Sequence, residues 1–146
     1  MMINKFIETL SLLNSDQKPV WGKMTPQHMV EHLIHAVKIG NGKLKLECFN
    51  PPEKLPVLKR FLMSDRPMPK GFVNPAIGSE NLPPHHSSLQ QAMAKLKEEI
   101  EDYHRFFEEN PSAKPVNVTF GELNKCEWDQ FHKKHFTHHL EQFGLL

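Results

Sequence analysis

The sequence predicts an all-α protein: a four-helix bundle with a long proline-rich crossover and one extra short helix, in a single domain over residues 1–146. Two observations favour this fold. Apolar residues recur at helical spacing in one long segment, and helix start and stop signals bracket three more. In contrast, only "KLKLECF" and "VNVTF" alternate as strands do, and both are brief.

The most regular helical segment runs from Leu89 to Phe107. Its apolar residues recur three or four positions apart and form one helix face: Leu89, Met93, Leu96, Ile100, Tyr103 and Phe107. Ser87 and Gln90 match an S-x-x-Q capping box at its start, and Asn110-Pro111 predicts its end. We therefore expect a long amphipathic helix.

Three other segments carry helix boundary signals. The first is a short helix from Asn4 to Leu13. The second helix has Thr25 as N-cap and Pro26 at its first position, and it stops at Gly40-Asn41-Gly42. The last helix begins with Asn124 and Glu127 as a capping pair and ends at Gly144. Between Pro51 and Pro84 lie eight of the twelve prolines. One short helix from Glu53 to Met63 is expected there, followed by a proline-rich crossover or lid.

Composition excludes several classes of partner. Lys plus Arg is 18 and Asp plus Glu is 17, so the chain has no basic field for nucleic acid. No stretch approaches the roughly 20 apolar residues of a membrane span, and the N-terminus does not resemble a signal peptide. The two cysteines lie far apart, which favours a reducing compartment. A soluble cytoplasmic protein with neither a nucleic-acid nor a membrane partner is expected.

The last helix carries four histidines within eight residues: His132, His135, His138 and His139. At about 100° per residue, three of them share the apolar face with Trp128, and His138 lies at its edge. On the second helix His32 flanks the apolar face, whereas His28 and His35 project away from it. Three histidines on a core-facing helix surface are not typical of a solvated charged face.

His135 and His139 are one helical turn apart, as are the metal ligands of H-E-x-x-H sites. A third ligand, His32, would complete a three-nitrogen site that leaves one coordination position open, as catalytic zinc sites do. Gln142 shares the buried face and is predicted to accept a hydrogen bond from a ligand imidazole, while Glu31 is a weaker candidate because it projects away from His32. The alternative is a metal-free helical interaction module whose histidines are ordinary core residues.

Longer stretches resemble a known superfamily. Three stretches, in this order, are similar to a branch of the DinB-like superfamily, which is also called the YfiT-like metal-dependent hydrolases: "KPVWGKMTPQHMVEHL", "DRPMPKGF" and "TFGELNKCEWDQFHKKHFTHHLEQFG". The similarity runs from Trp21 to Gly144. The resemblance implies an up-down-down-up bundle that binds a divalent cation, usually zinc or nickel. Its ligands would be a histidine of the second helix and the H-x-x-x-H of the last, which correspond to His32, His135 and His139.

The resemblance also implies a small-molecule substrate and, by analogy with relatives, a low-molecular-weight thiol as a possible cosubstrate. A metal held by three neutral imidazoles keeps its full charge and can lower the pKa of a bound thiol or water. We therefore expect a thiol-dependent transferase or a hydrolase, and a homodimer is compatible with the fold. The candidate catalytic residue is His132, and for a hydrolase either His132 or His28 is a candidate general base. The alternative of a non-enzymatic protein that binds the metal or a small ligand stays open.

Overall fold

The computed structural model describes residues 2–70 and 84–146, and these residues are mostly helical. The helices are α1 (Met2–Leu10), α2 (Pro26–Gly40), α3 (Leu55–Leu62), α4 (Leu89–Glu109) and α5 (Lys125–Gln142), with a 3-10 turn at Pro52–Lys54. Two short strands, β1 (Val116–Asn117) and β2 (Gly121–Glu122), pair antiparallel. The predicted all-α class is confirmed. Most of the predicted crossover, residues 71–83, lies outside the described residues.

The helices pack around one apolar core. α2 packs along α4, and α5 contacts α1, α2 and α3. The largest fully buried side chains come from all of these helices and from the residues just before and just after α5: Trp128, Tyr103, Phe136, Phe143, Ile3, Leu10, Met29, Leu33, Leu62, Leu96, Ile100 and Leu123. Burying each stabilises the fold by about 1.5–3 kcal/mol. None of the described helices is both long and apolar enough to span a membrane.

The two helices that carry the predicted ligands begin where the sequence predicts. In α2 the Thr25 hydroxyl accepts a hydrogen bond from the His28 amide at 3.1 Å, and Pro26 occupies the first turn. In α5 the Asn124 side chain accepts from the Glu127 amide, and the Glu127 carboxylate accepts from the Asn124 amide, both at 2.9 Å. This reciprocal pair fixes the rotational start of α5 and hence the direction of its histidines.

The predicted cap of α4 is wrong by one residue. Ser88, not Ser87, is the N-cap, and its hydroxyl accepts from the Gln91 amide at 3.1 Å. The Gln91 side-chain oxygen in turn accepts from the Ser87 amide at 3.3 Å. Two adjacent serines followed by two adjacent glutamines offer the S-x-x-Q pattern in both registers, so the pattern alone does not choose between them.

Two other boundaries differ from prediction. α1 ends at Leu10: the Ser11 amide still donates to the carbonyl four residues back, but the amides of Leu12 and Leu13 donate only three residues back. The segment "KLKLECF" forms no strand, although the Phe49 amide donates to the Val118 carbonyl at 2.9 Å. The short helix expected from Glu53 begins as a 3-10 turn and becomes α-helical at Leu55.

Replacing Asn124 with Ala should lower the free energy of unfolding by about 0.5–2 kcal/mol, because the Glu127 amide at the start of α5 loses its side-chain acceptor. Urea denaturation of the wild type and the variant measures this. The same substitution at Asn4, exposed in α1, is the control and should change stability by less than about 0.5 kcal/mol. Equal effects at the two positions would contradict the capping role.

Candidate metal centre

Three histidines from two helices meet in the interior. His32 comes from the middle of α2, and His135 and His139 come from successive turns of α5. The Nε2 atom of His135 lies 2.9 Å from Nε2 of His32 and 3.2 Å from Nε2 of His139. All three ligand atoms lie within 4.8 Å of one another. The predicted convergence of these three side chains is therefore confirmed.

Burial keeps these imidazoles uncharged. Desolvation lowers the pKa of His32 to about 4, with repulsion from His35 and His138 acting in the same direction. Desolvation also lowers the pKa values of His135 and His139 well below the usual range, and the neighbouring histidines lower them further. At pH 7 each ring is neutral and keeps a lone pair. This is the state in which histidine binds a metal ion.

Gln142 determines which nitrogen of His139 carries the proton. Its amide nitrogen donates to the Trp21 carbonyl at 3.2 Å, so its side-chain oxygen is the atom that lies 2.7 Å from His139 Nδ1. An amide oxygen only accepts, and Nδ1 must therefore be the protonated nitrogen. The lone pair of His139 is consequently on Nε2, which faces His135. The role predicted for Gln142 in holding a bound metal's ligand stays a prediction.

A loop that sequence patterns did not connect to the site fastens the same end of α5. The Val20 amide donates to the Gln142 carbonyl, and the Gln17 side chain donates to the Phe143 carbonyl, both at 2.6 Å. Gly22 has a φ of +82°, and a Cβ there would lie 2.9 Å from the Gln142 amide nitrogen. Glycine at position 22 is the feature of the sequence that indicates such a close approach between this loop and Gln142, because glycine has no Cβ.

Trp21 lies next to the three histidines. It is only half-buried. Its ring lies edge-on to the His138 ring at 5.6 Å, and the Lys70 ammonium lies over the indole at 4.7 Å. His138 in turn packs against His139, with ring centroids 5.0 Å apart. Trp21, His138 and Lys70 therefore form a cluster of side chains in contact with His139 through His138.

The donor set fits a divalent cation. Nitrogens bound tetrahedrally to one ion at about 2.0–2.1 Å lie roughly 3.3 Å apart, and the two closest contacts here are 2.9 and 3.2 Å. Because His139 Nε2 carries no proton, neutral rings cannot form linear N–H···N bonds in both contacts of His135 Nε2. A cation among the three nitrogens would satisfy every lone pair at once.

His132 lies outside this group. It is fully buried, and neither ring nitrogen has a hydrogen-bond partner among the described residues. The rings of Tyr103 and Trp128 pack against it at centroid distances of 4.9 and 5.3 Å. Desolvation lowers the pKa of His132 to about 3, although the negative charge of Asp129 opposes this. The catalytic role predicted for His132 stays a prediction.

Two other expectations need correction. Glu31 does not contact the three histidines; its carboxylate accepts from the His85 amide at 2.7 Å and the His86 amide at 3.2 Å, which fastens the segment before α4 to α2. His35, predicted to project away from the apolar face, is half-buried, and its Nε2 has no partner within the described residues. His104 of α4 likewise has a buried Nε2 without a partner there. Helical projection gives a side chain's direction but not what lies opposite it.

The depressed pKa values predict that stability falls with acid in metal-free protein. Below pH 6.5 the unfolded chain binds a proton on each histidine, whereas folded His32 binds one only near pH 4 and His132 only near pH 3. The free energy of unfolding should therefore fall as the pH falls from 6.5 to 4. Each such histidine contributes about 1.4 kcal/mol per pH unit.

Urea denaturation with a chelator present, at several pH values, measures this slope. In His132→Phe the slope should be shallower than in the wild type by the contribution of one histidine. Identical slopes for the two proteins would show that folded His132 titrates normally.

Comparison with known proteins gives one match. A family model described as "Protein of unknown function (DUF1569)" matches residues 40–144, a range that contains His135 and His139 and begins after His32. No curated protein and no solved structure matches the chain. Because the matched range covers well over half of the sequence, the chain belongs to the DUF1569 family.

Proposed function

We propose that this protein binds one divalent metal ion, zinc or nickel, through His32, His135 and His139. The observation that carries the proposal is the convergence of three neutral imidazole nitrogens from α2 and α5. Three-nitrogen sites commonly leave one coordination position for a substrate or water. The resemblance of the sequence to the DinB-like superfamily supports the same ligand set.

Together with the metal site we propose a four-helix bundle, and the contacts between helices support it. In the up-down-down-up arrangement that we propose, α1, α2, α4 and α5 are the four main helices and the proline-rich segment is the crossover. The contacts of α2 with α4 and of α5 with α1 and α2 are compatible with it. In this arrangement the ligands come from the second and last main helices.

The reaction class that the site supports best is thiol-dependent transfer to a small electrophilic substrate. A divalent ion bound here would supply Lewis acidity and lower the pKa of a thiol or water at its open position. Hydrolysis also needs a general base, but the metal-ligating group within the described residues contains no carboxylate. Thiol transfer needs no such base, because the thiolate is itself the nucleophile.

The chain's own residues would have distinct roles in this proposal. His32, His135 and His139 provide uncharged nitrogens in a site from which water is largely excluded. Gln142 keeps the proton of His139 on Nδ1. A hydrolase would instead depend on His132, whose surroundings are aromatic and closed to solvent. We therefore place transfer ahead of hydrolysis.

Purified, untagged wild-type protein should contain about one divalent ion per chain by plasma mass spectrometry, as a site with three neutral nitrogen ligands requires. His135→Ala should lose this metal, because two nitrogens remain. His104→Ala is the matched control: it removes a half-buried histidine of α4 outside the site, and metal content should not change. Equal metal content in His135→Ala and the wild type would exclude the proposed site.

Activity of the metal-loaded protein then separates an enzyme from a binding protein. A panel of low-molecular-weight thiols with electrophilic substrates should give turnover by the wild type and none by His135→Ala. Metal bound at full occupancy without turnover on any pair would leave the metal site intact and contradict the transferase proposal.

Gln142→Ala should weaken zinc binding by about 10–100-fold, because His139 loses the acceptor that fixes its tautomer. Competition with a chromophoric chelator measures this affinity. Gln142→Glu keeps an acceptor oxygen beside His139 and should retain most of the wild-type zinc affinity. Gln130→Ala is the control, since Gln130 lies on α5 but donates to the Leu62 carbonyl at 3.0 Å. Unchanged affinity in Gln142→Ala would contradict the role.

A further inference from the structure

A cavity lies beside α5, on a different face of the helix from the three histidines. It has a volume of about 250 Å³, is partly open to solvent and is lined by α5 and the segment Ser64–Met68. Lys134, Thr137 and His138 line its helical side. At about 100° per residue, Lys134 points away from the direction of His135 and His139. The cavity is therefore separate from the candidate metal centre, with His138 between them.

Lys134 is the unusual residue of this cavity. Only 8% of it is exposed, yet it carries an ammonium group. That group donates to the Arg66 carbonyl and lies 4.9 Å from the centre of the Phe61 ring. No carboxylate of residues 2–70 or 84–146 lies within 4.0 Å of it. An ammonium has three N–H donors, so protein acceptors in this part of the chain satisfy one of them.

A buried cation without a counter-ion is costly. Proteins ordinarily pair such a charge or leave it in water. An anion bound in the cavity would supply both the missing charge and acceptors for the remaining N–H groups.

The rest of the lining favours a small anion. Arg66 and Lys133 also line the cavity, and neither forms an ion pair within the described residues. Asp65 and Glu141 lie on the same lining, and their charges would disfavour a ligand with several negative groups. The Thr137 hydroxyl adds a neutral donor. The lining thus combines three cations with two anions around a partly polar space.

We propose that this cavity binds the oxyanion group, carboxylate or phosphate, of a small molecule, with Lys134 as its buried contact. None of the three candidate metal ligands takes part in this anion site, so anion binding is independent of metal binding. In the absence of a ligand, the hydrogen bond from Lys134 to the Arg66 carbonyl holds the Ser64–Met68 segment against α5.

The test is a titration of ¹⁵N-labelled, chelator-treated protein with acetate and, separately, inorganic phosphate at constant ionic strength. Amide signals of Ser64–Met68 and of 133–141 should shift saturably with one of the two anions. Acetate would assign a carboxylate ligand and phosphate a phosphate ester. Shifts that do not saturate, or that chloride reproduces, would overturn the proposal. Chelation makes the result independent of metal binding.

Lys134→Met keeps the apolar stem and should weaken the anion by about tenfold or more, the usual effect of losing a charged hydrogen bond. Lys97→Met, exposed in α4, is the matched control and should bind as the wild type does. If Lys134→Met does not fold, Arg66→Gln is tested instead, because the Arg66 side chain is exposed and its replacement should not disturb folding. The anion affinity of Arg66→Gln should also be lower than that of the wild type. Wild-type affinity in folded Lys134→Met, or in Arg66→Gln where that replaces it, would contradict the site.

Discussion

The crowding of three neutral imidazoles in an apolar interior is the constraint on which the candidate site depends. The 2.9 Å contact between ring nitrogens is shorter than their van der Waals separation and the 3.2 Å contact is close to it, so a proton or a cation between the nitrogens would relieve the repulsion of facing lone pairs. Protons alone cannot serve both contacts well, because Gln142 keeps the proton of His139 on its far nitrogen. Burial also prevents the rings from becoming cations. A divalent ion among the three nitrogens would bind their lone pairs and leave the rings themselves neutral.

The surrounding structure holds that geometry from two sides. α2 and α5 are each fixed at their first turn by side-chain caps, which set the rotation of the helix and so the direction of His32, His135 and His139. At the far end of α5, Gln142 connects His139 to the loop that contains Trp21, and Gly22 permits the close approach. The position of the ligands therefore depends on contacts well outside the ligands themselves.

Local patterns explain why much of this was predictable. The face of α5 that meets the core is defined by Trp128, Phe136 and Leu140, so periodicity alone places His135 and His139 inside. The capping pairs of α2 and α5 are likewise local signals. Periodicity does not show which segments distant in sequence contact each other. The contact of Trp21 with Gln142, the hydrogen bonds of Glu31 to residues 85 and 86, and the burial of Lys134 all depend on such pairing.

The most direct test of the metal centre is an anomalous difference map, measured at the zinc absorption edge from crystals grown with one equivalent of zinc. We expect a single strong peak about 2.0–2.1 Å from one ring nitrogen of each of His32, His135 and His139, with the fourth position open to solvent or a small ligand. A map without a peak among these rings, or with zinc bound only to surface histidines, would show that the three imidazoles are packed core residues and that no metal centre exists here.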